Sequence, residues 1–105
     1  MAAEYLSSRG LRILCTNFRS RQGEIDIVAK EGLTVVFCEV KYRRNRGLGL
    51  PSEAVNRKKQ RIICRVADFY RCRYALPDNT DYRFDVISIL DNEISWYKNA
   101  FEYQV

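Results

Sequence analysis

The stretch FCEVKYR, residues 37–43, sets Glu39 and Lys41 two positions apart inside an apolar run that reads as a buried strand. Buried charge is costly unless it is paired, hydrogen-bonded or bound to a metal. The two-residue period of a strand puts both side chains on one face. Upstream, EIDIVAK (residues 24–30) alternates, with Ile25, Ile27 and Ala29 facing one way and Glu24, Asp26 and Val28 the other. A tight turn at Glu31-Gly32 folds the two runs together and brings Asp26 close to Glu39 or Lys41. Two carboxylates and an ammonium at one end of a sheet suit a hard divalent cation, Mg²⁺ or Mn²⁺, which takes oxygen ligands and shares them with phosphate. Asp26 and Glu39 are the expected carboxylate ligands, and the backbone carbonyl of Val40 is placed as a third. Glu24 is either a further ligand or a surface acid paired with a neighbouring arginine. The chemistry this set allows is phosphodiester hydrolysis, with Lys41 orienting or deprotonating the attacking water, or stabilising the transition state.

The chain contains no histidine. That excludes Ser-His-Asp and Cys-His nucleophile systems and any histidine general base. Charge is unevenly spread along the chain. From Lys41 to Arg73 there are eleven basic residues against Glu53 and Asp68, a net of +9 within a chain whose total is +5, so the remainder carries −4. Such a segment predicts a polyanionic partner, with the phosphate backbone of DNA the first candidate. Arg43, Arg44 and Arg46 lie in the glycine-rich loop RRNRGLGLPS, where they would grip phosphates beside the site. Lys59, on the inward side of the following helix, and Gln60 are candidates for the same contact, and Lys59 could equally be a surface lysine. Tyr42 and Tyr74 are candidates to stack bases or to pack at the rim of the core.

Around this site the chain must supply a scaffold of 105 residues, 47% hydrophobic and 30% charged, which predicts one globular domain. No apolar run approaches the ~20 residues of a membrane span. MAAEYLSSRG lacks a basic n-region and an apolar h-region, so a cytoplasmic location is expected. Cys15, Cys38, Cys64 and Cys72 form no CxxC pair, and reduced thiols are expected.

The expected elements are a short helix at residues 2–8 closed by Gly10, then strands at 11–18, 24–30 and 33–42 forming an antiparallel meander. A long helix follows, capped by Ser52 and running from about Glu53 to Tyr74, with Val55, Ile62, Val66, Phe69 and Tyr70 as its core face. Strands at 84–90 and 93–97 complete the order α-β-β-β-α-β-β, a mixed α/β sheet flanked by helices. The helical crossover makes the third and fourth strands parallel. Asp85 is expected to serve structure, paired with Arg83 or another basic residue. Trp96 and Phe101 are expected to complete the core.

GEIDIV, VFCEVKYR, the AVNRKKQRI helix, RFDVISI and NAF together resemble the YraN family of small bacterial proteins, from about Ala2 to Phe101. The resemblance implies the three-layer fold of the PD-(D/E)xK, or restriction-endonuclease-like, nuclease superfamily. It maps the metal-binding aspartate onto Asp26, the second acid onto Glu39 and the lysine onto Lys41. Ile25 stands where the generic motif has proline. Relatives carry a glutamate on a longer first helix, about one turn before the equivalent of Ala2; Glu4 is offset from it, which implies either a weaker metal site or a trimmed gene start.

Two functions from different classes follow. One is a Mg²⁺-dependent endonuclease acting on DNA or a structured nucleic acid, with a homodimer as a candidate assembly. The other is a non-catalytic nucleic-acid-binding module on the same fold. A third, plainer reading makes Glu39 and Lys41 a structural ion pair in an interaction protein.

Overall fold

The computed structural model of the chain describes residues 1–43 and 55–105. Helix α1 (Ala2–Ser8) leads into β1 (Arg12–Ser20), β2 (Gly23–Glu31) and β3 (Thr34–Arg43). Helix α2 (Arg57–Arg73) then crosses over to β4 (Tyr82–Leu90) and β5 (Glu93–Phe101). The sheet runs β1-β2-β3-β4-β5, antiparallel except for the β3–β4 pair, which is parallel across the helical crossover. This is the mixed, three-layer arrangement of a restriction-endonuclease-like fold.

Side chains leave the two faces of the sheet for two separate cores. On the α2 side, Phe37, Val28, Phe84 and Val86 pack against Ile63, Val66, Ala67 and Tyr70 of the helix. On the α1 side, Val36, Cys38, Ile27 and Ile87 pack under Ala2 and Leu6. The central strands are therefore covered twice and read as near-continuous apolar runs. Burying a side chain the size of Phe37 or Phe84 contributes on the order of 2 kcal/mol each. Removing either would also leave a cavity between sheet and helix.

The turns follow from backbone chemistry. Gly32 sits at φ +60° between β2 and β3, a conformation that disfavours a Cβ. Asp91 and Asn92 both take positive φ, 49° and 68°, as the two-residue connection of β4 to β5 requires. At Gly23 the constraint is space, since a Cβ there would meet Ile62 Cγ2 of α2 at 2.7 Å.

Four expectations need correction. Helix α2 begins at Arg57, where the Asn56 side chain accepts from Lys59 N–H at 2.9 Å and caps the first turn. The expected cap Ser52 and start Glu53 lie outside the described residues. Its buried face is Ile63, Cys64, Val66, Ala67 and Tyr70; Phe69 is 44% exposed, and Val55 is buried ahead of the helix. Ile25 does not share a face with Ile27 and Ala29: it packs in the α2-side core with Val28, and they pack in the other. The reason is that β2 leaves the β3 ladder beyond the Ile27–Cys38 pair, and the strict alternation ends there. Finally, β5 extends to Phe101 because its register slips between Phe84 and Val86 of β4, around Asn99 at φ 51°.

Candidate metal and phosphate site

The site forms where β2 and β3 part. Continued one step past Ile27–Cys38, the antiparallel register would set Asp26 opposite Glu39. Instead the Asp26 side chain takes over from the ladder, its Oδ2 accepting the Val40 backbone N–H at 2.7 Å. This fixes the carboxylate at the mouth of the gap. Glu39 follows Val35 and Phe37 on the α2 face of β3 and is 7% exposed. The Glu39 carboxyl is pushed up to about 7, chiefly by burial and then by the neighbouring Asp26 carboxylate, with Lys59 acting in the opposite direction. Lys59, from the first turn of α2, reaches Glu39 Oε2 at 3.5 Å.

The structure therefore brings together Asp26, Glu39, Lys59 and the backbone of Val40. Lys41 continues along β3 two residues beyond Glu39, exposed and in register with Ser88 of β4. It makes no ion pair with a described residue, so the ion-pair partner of Glu39 is Lys59 and not Lys41. Glu24 is engaged by Arg19 at 2.7 Å, as the paired reading of that acid requires. Gln60 faces away from the carboxylates: its Nε2 donates to Val55 O at 2.8 Å and its Oε1 accepts from the Gln104 amide. Arg43 ends β3, half-buried. Arg44 and Arg46 lie outside the described residues.

An open cleft of about 510 Å³ adjoins Asp26 on the α1 side, lined also by Met1, Ala2, Asn17, Val40 and Tyr42. The start of α1 and the middle of β1 thus border the site, which spacing along the sequence did not reveal. One local signal was available: Asn17 interrupts an apolar strand and adopts φ 53°, a conformation that asparagine tolerates better than most residues. Among the described residues no three Asp, Glu, His or Cys side chains cluster as metal ligands. A pair of carboxylates is nonetheless enough for Mg²⁺, which keeps several waters and completes its shell with phosphate oxygens. Two neighbouring carboxyl groups, with the buried one driven toward protonation, are a donor set that a divalent cation would relieve.

Residues 1–89 match the family described as "Uncharacterised protein family UPF0102". A UPF0102 protein of Lachnoclostridium phytofermentans is 50% identical over 101 residues, covering 96% of this chain and 86% of the relative. The chain belongs to the UPF0102 (YraN) family. A UPF0102 protein of Persephonella marina is 46% identical over 96% of this chain and 86% of its own length. The UPF0102 protein YraN of Shigella flexneri is 41% identical over 95% of this chain and 77% of its own length. The UPF0102 match takes in Asp26, Glu39, Lys41 and Lys59. No helix among the described residues is long and apolar enough to cross a membrane, and all four cysteines are free thiols.

Proposed function

We propose that this chain binds nucleic acid and hydrolyses its phosphodiester bonds with Mg²⁺ or Mn²⁺. The observation that carries the reading is the placing of Asp26, whose Oδ2 accepts the Val40 N–H at 2.7 Å, beside the buried Glu39 where β2 and β3 separate. Among the described residues Lys59 is the cation that pairs with Glu39, at 3.5 Å, and it is itself 45% exposed. Asp26 and Glu39 would hold the metal, with the Val40 carbonyl as a further oxygen donor and Glu24 less available because of Arg19. Bound there, the cation would supply charge neutralisation at the scissile phosphate and acidify a water. Asp26 is pre-positioned for this by the Val40 N–H, which fixes its orientation before any ligand arrives. Lys41, exposed beyond Glu39, would hold a proton toward the attacking water or the developing negative charge. Arg43, Arg44 and Arg46, together with Lys59, are the proposed phosphate contacts, with DNA the first candidate; Gln60 is engaged by Val55 and Gln104 instead.

A second reading, a binding module without turnover, is favoured by the absence of a three-ligand cluster among the described residues. The two are separated by incubating the protein with branched, single-stranded and duplex DNA in Mg²⁺ or Mn²⁺, beside Asp26→Ala and Lys41→Ala. Cleavage that needs the metal and falls by about a hundredfold or more in both variants is the expected result. Salt-sensitive binding with no cleavage under any of these conditions would replace the first reading with the second.

A further inference from the structure

Helix α2 carries seven basic residues and one acid, Asp68, and its outward side is not uniformly polar. Phe69 is 44% exposed, and Tyr74, just past the helix end, is 51% exposed. The half-buried Phe18 of β1 joins them, with ring centroids 6.0 Å from Phe69 and 6.3 Å from Tyr74. Tyr74 in turn lies against the core ring of Tyr70 at 4.6 Å, and the Arg73 guanidinium sits 5.7 Å from its ring centre. Isolated exposed aromatics are ordinary, but rings in mutual contact, anchored from below and left open above, are a platform.

Lys58, Arg61, Arg65, Phe69 and Arg73 follow one another at the three- and four-residue steps of a single helical stripe, with Lys58, Arg61 and Arg73 exposed. Arg65 on this stripe is engaged by Asp68, Tyr103 and the Gln104 carbonyl, and holds the C-terminal tail. The platform lies ten residues beyond Lys59, about 15 Å along the helix axis.

We infer that this stripe is a binding surface for single-stranded nucleic acid, whose bases stack on Phe69 and Tyr74 while Lys58, Arg61 and Arg73 follow its phosphates. Charge and shape choose this occupant. A second copy of the chain would bring two strongly basic helices face to face. A duplex keeps its bases stacked inside and offers the rings nothing, whereas an unpaired strand offers both π faces and phosphates. The inference goes beyond the proposed hydrolysis by naming an unpaired strand, and its test does not depend on cleavage.

The test measures fluorescence anisotropy of labelled oligothymidylate, oligouridylate and a short duplex, without divalent metal, for the full chain and for Phe69→Ala, Tyr74→Ala, Tyr74→Trp and Leu33→Ala. Leu33, 85% exposed at the β2–β3 turn, controls for loss of apolar surface as such. The expected result is salt-sensitive binding of both single strands, weakened roughly ten-fold by each alanine at the platform, kept by Tyr74→Trp and unmoved by Leu33→Ala. Tighter binding of one single strand than the other would show a preference set by the 2′-hydroxyl or the thymine methyl and supports the inference equally. Absence of single-strand binding, equal binding of the duplex, or affinity indifferent to both rings would each overturn it. Ring-dependent binding without cleavage would leave this surface standing and remove hydrolysis; cleavage with ring-independent binding would do the reverse.

Discussion

Asp85 on β4 and Glu39 on β3 lie one register step apart and are both buried, at 0% and 7% exposure. Their surroundings are opposite. Asp85 accepts from Arg83 Nε at 3.0 Å and Nη2 at 3.2 Å, from Trp96 Nε1 at 2.9 Å and from the Asn99 backbone N–H at 2.9 Å. Arg83 extends the network to Glu31 at 2.7 Å, which Lys98 also reaches at 3.2 Å. Every lone pair of Asp85 has a donor, so the acid is a tie between β4, β5 and the end of β2. Glu39 meets another carboxyl group and a half-exposed lysine. A saturated buried acid holds a fold together, whereas Glu39, placed against a second acid, is the group on which the proposed metal site rests.

The sharpest way to break the comparison is to remove Asp85. Asp85→Ala strands the Arg83 guanidinium, the Trp96 indole N–H and the Asn99 amide together. Urea unfolding should show a loss of about 3–5 kcal/mol, the range for removing one partner of a buried pair. A loss below about 1 kcal/mol would mean that the network is ornamental and that the two acids do not differ in kind.

Glu39 should behave in the opposite sense. Its folded-state pKa of about 7 lies above the unfolded 4.5, chiefly through burial and then through Asp26. The folded state therefore binds more protons than the unfolded state between those values, and stability falls as pH rises through that window. The contribution is fully present below pH 4.5 and gone above pH 7, a swing of about 3 kcal/mol. In metal-free buffer at alkaline pH, Glu39→Gln should thus be more stable than the parent by about that amount, with the gap closing toward acid. Mg²⁺ should raise the parent's melting temperature above neutral pH and leave Glu39→Gln nearly unmoved. A parent whose stability is flat across this window would put Glu39 in the same class as Asp85.

The sequence shows why these acids were only partly distinguishable beforehand. Both sit in apolar strands, VVFCEV and FDVISI, and each has a basic residue two positions away. Alternation and the turn at Gly32 were enough to bring Asp26 to Glu39, because a hairpin register is local. Arg83 beside Asp85 was equally local. The partners that set the Asp85 network apart were not: Asn99 donates to it only because β5 slips its register, and Glu31 accepts from Arg83 across 52 positions of sequence. Lys59 presents the same difficulty. Its contact with Glu39 depends on where α2 starts, and the actual cap, Asn56, offered no more signal than Ser52. The two-core layout hid the side of Ile25 for a related reason, since alternation stops being informative where a strand leaves its ladder.

Lys59 gives the finest discrimination. It is half-exposed and 3.5 Å from Glu39, so screening by water limits its effect on stability to below about 1 kcal/mol, and Lys59→Met should unfold at nearly the parental urea midpoint in acid. What should move is the pH at which stability is lost. Among the described residues Lys59 is the neighbour that lowers the Glu39 pKa, so its removal lets burial and Asp26 act more strongly. With the folded pKa raised further, the stability loss should run to higher pH and end at a lower plateau than in the parent. An unshifted profile would show that water, rather than Lys59, offsets the buried carboxyl, and that the 3.5 Å pair is incidental to the site.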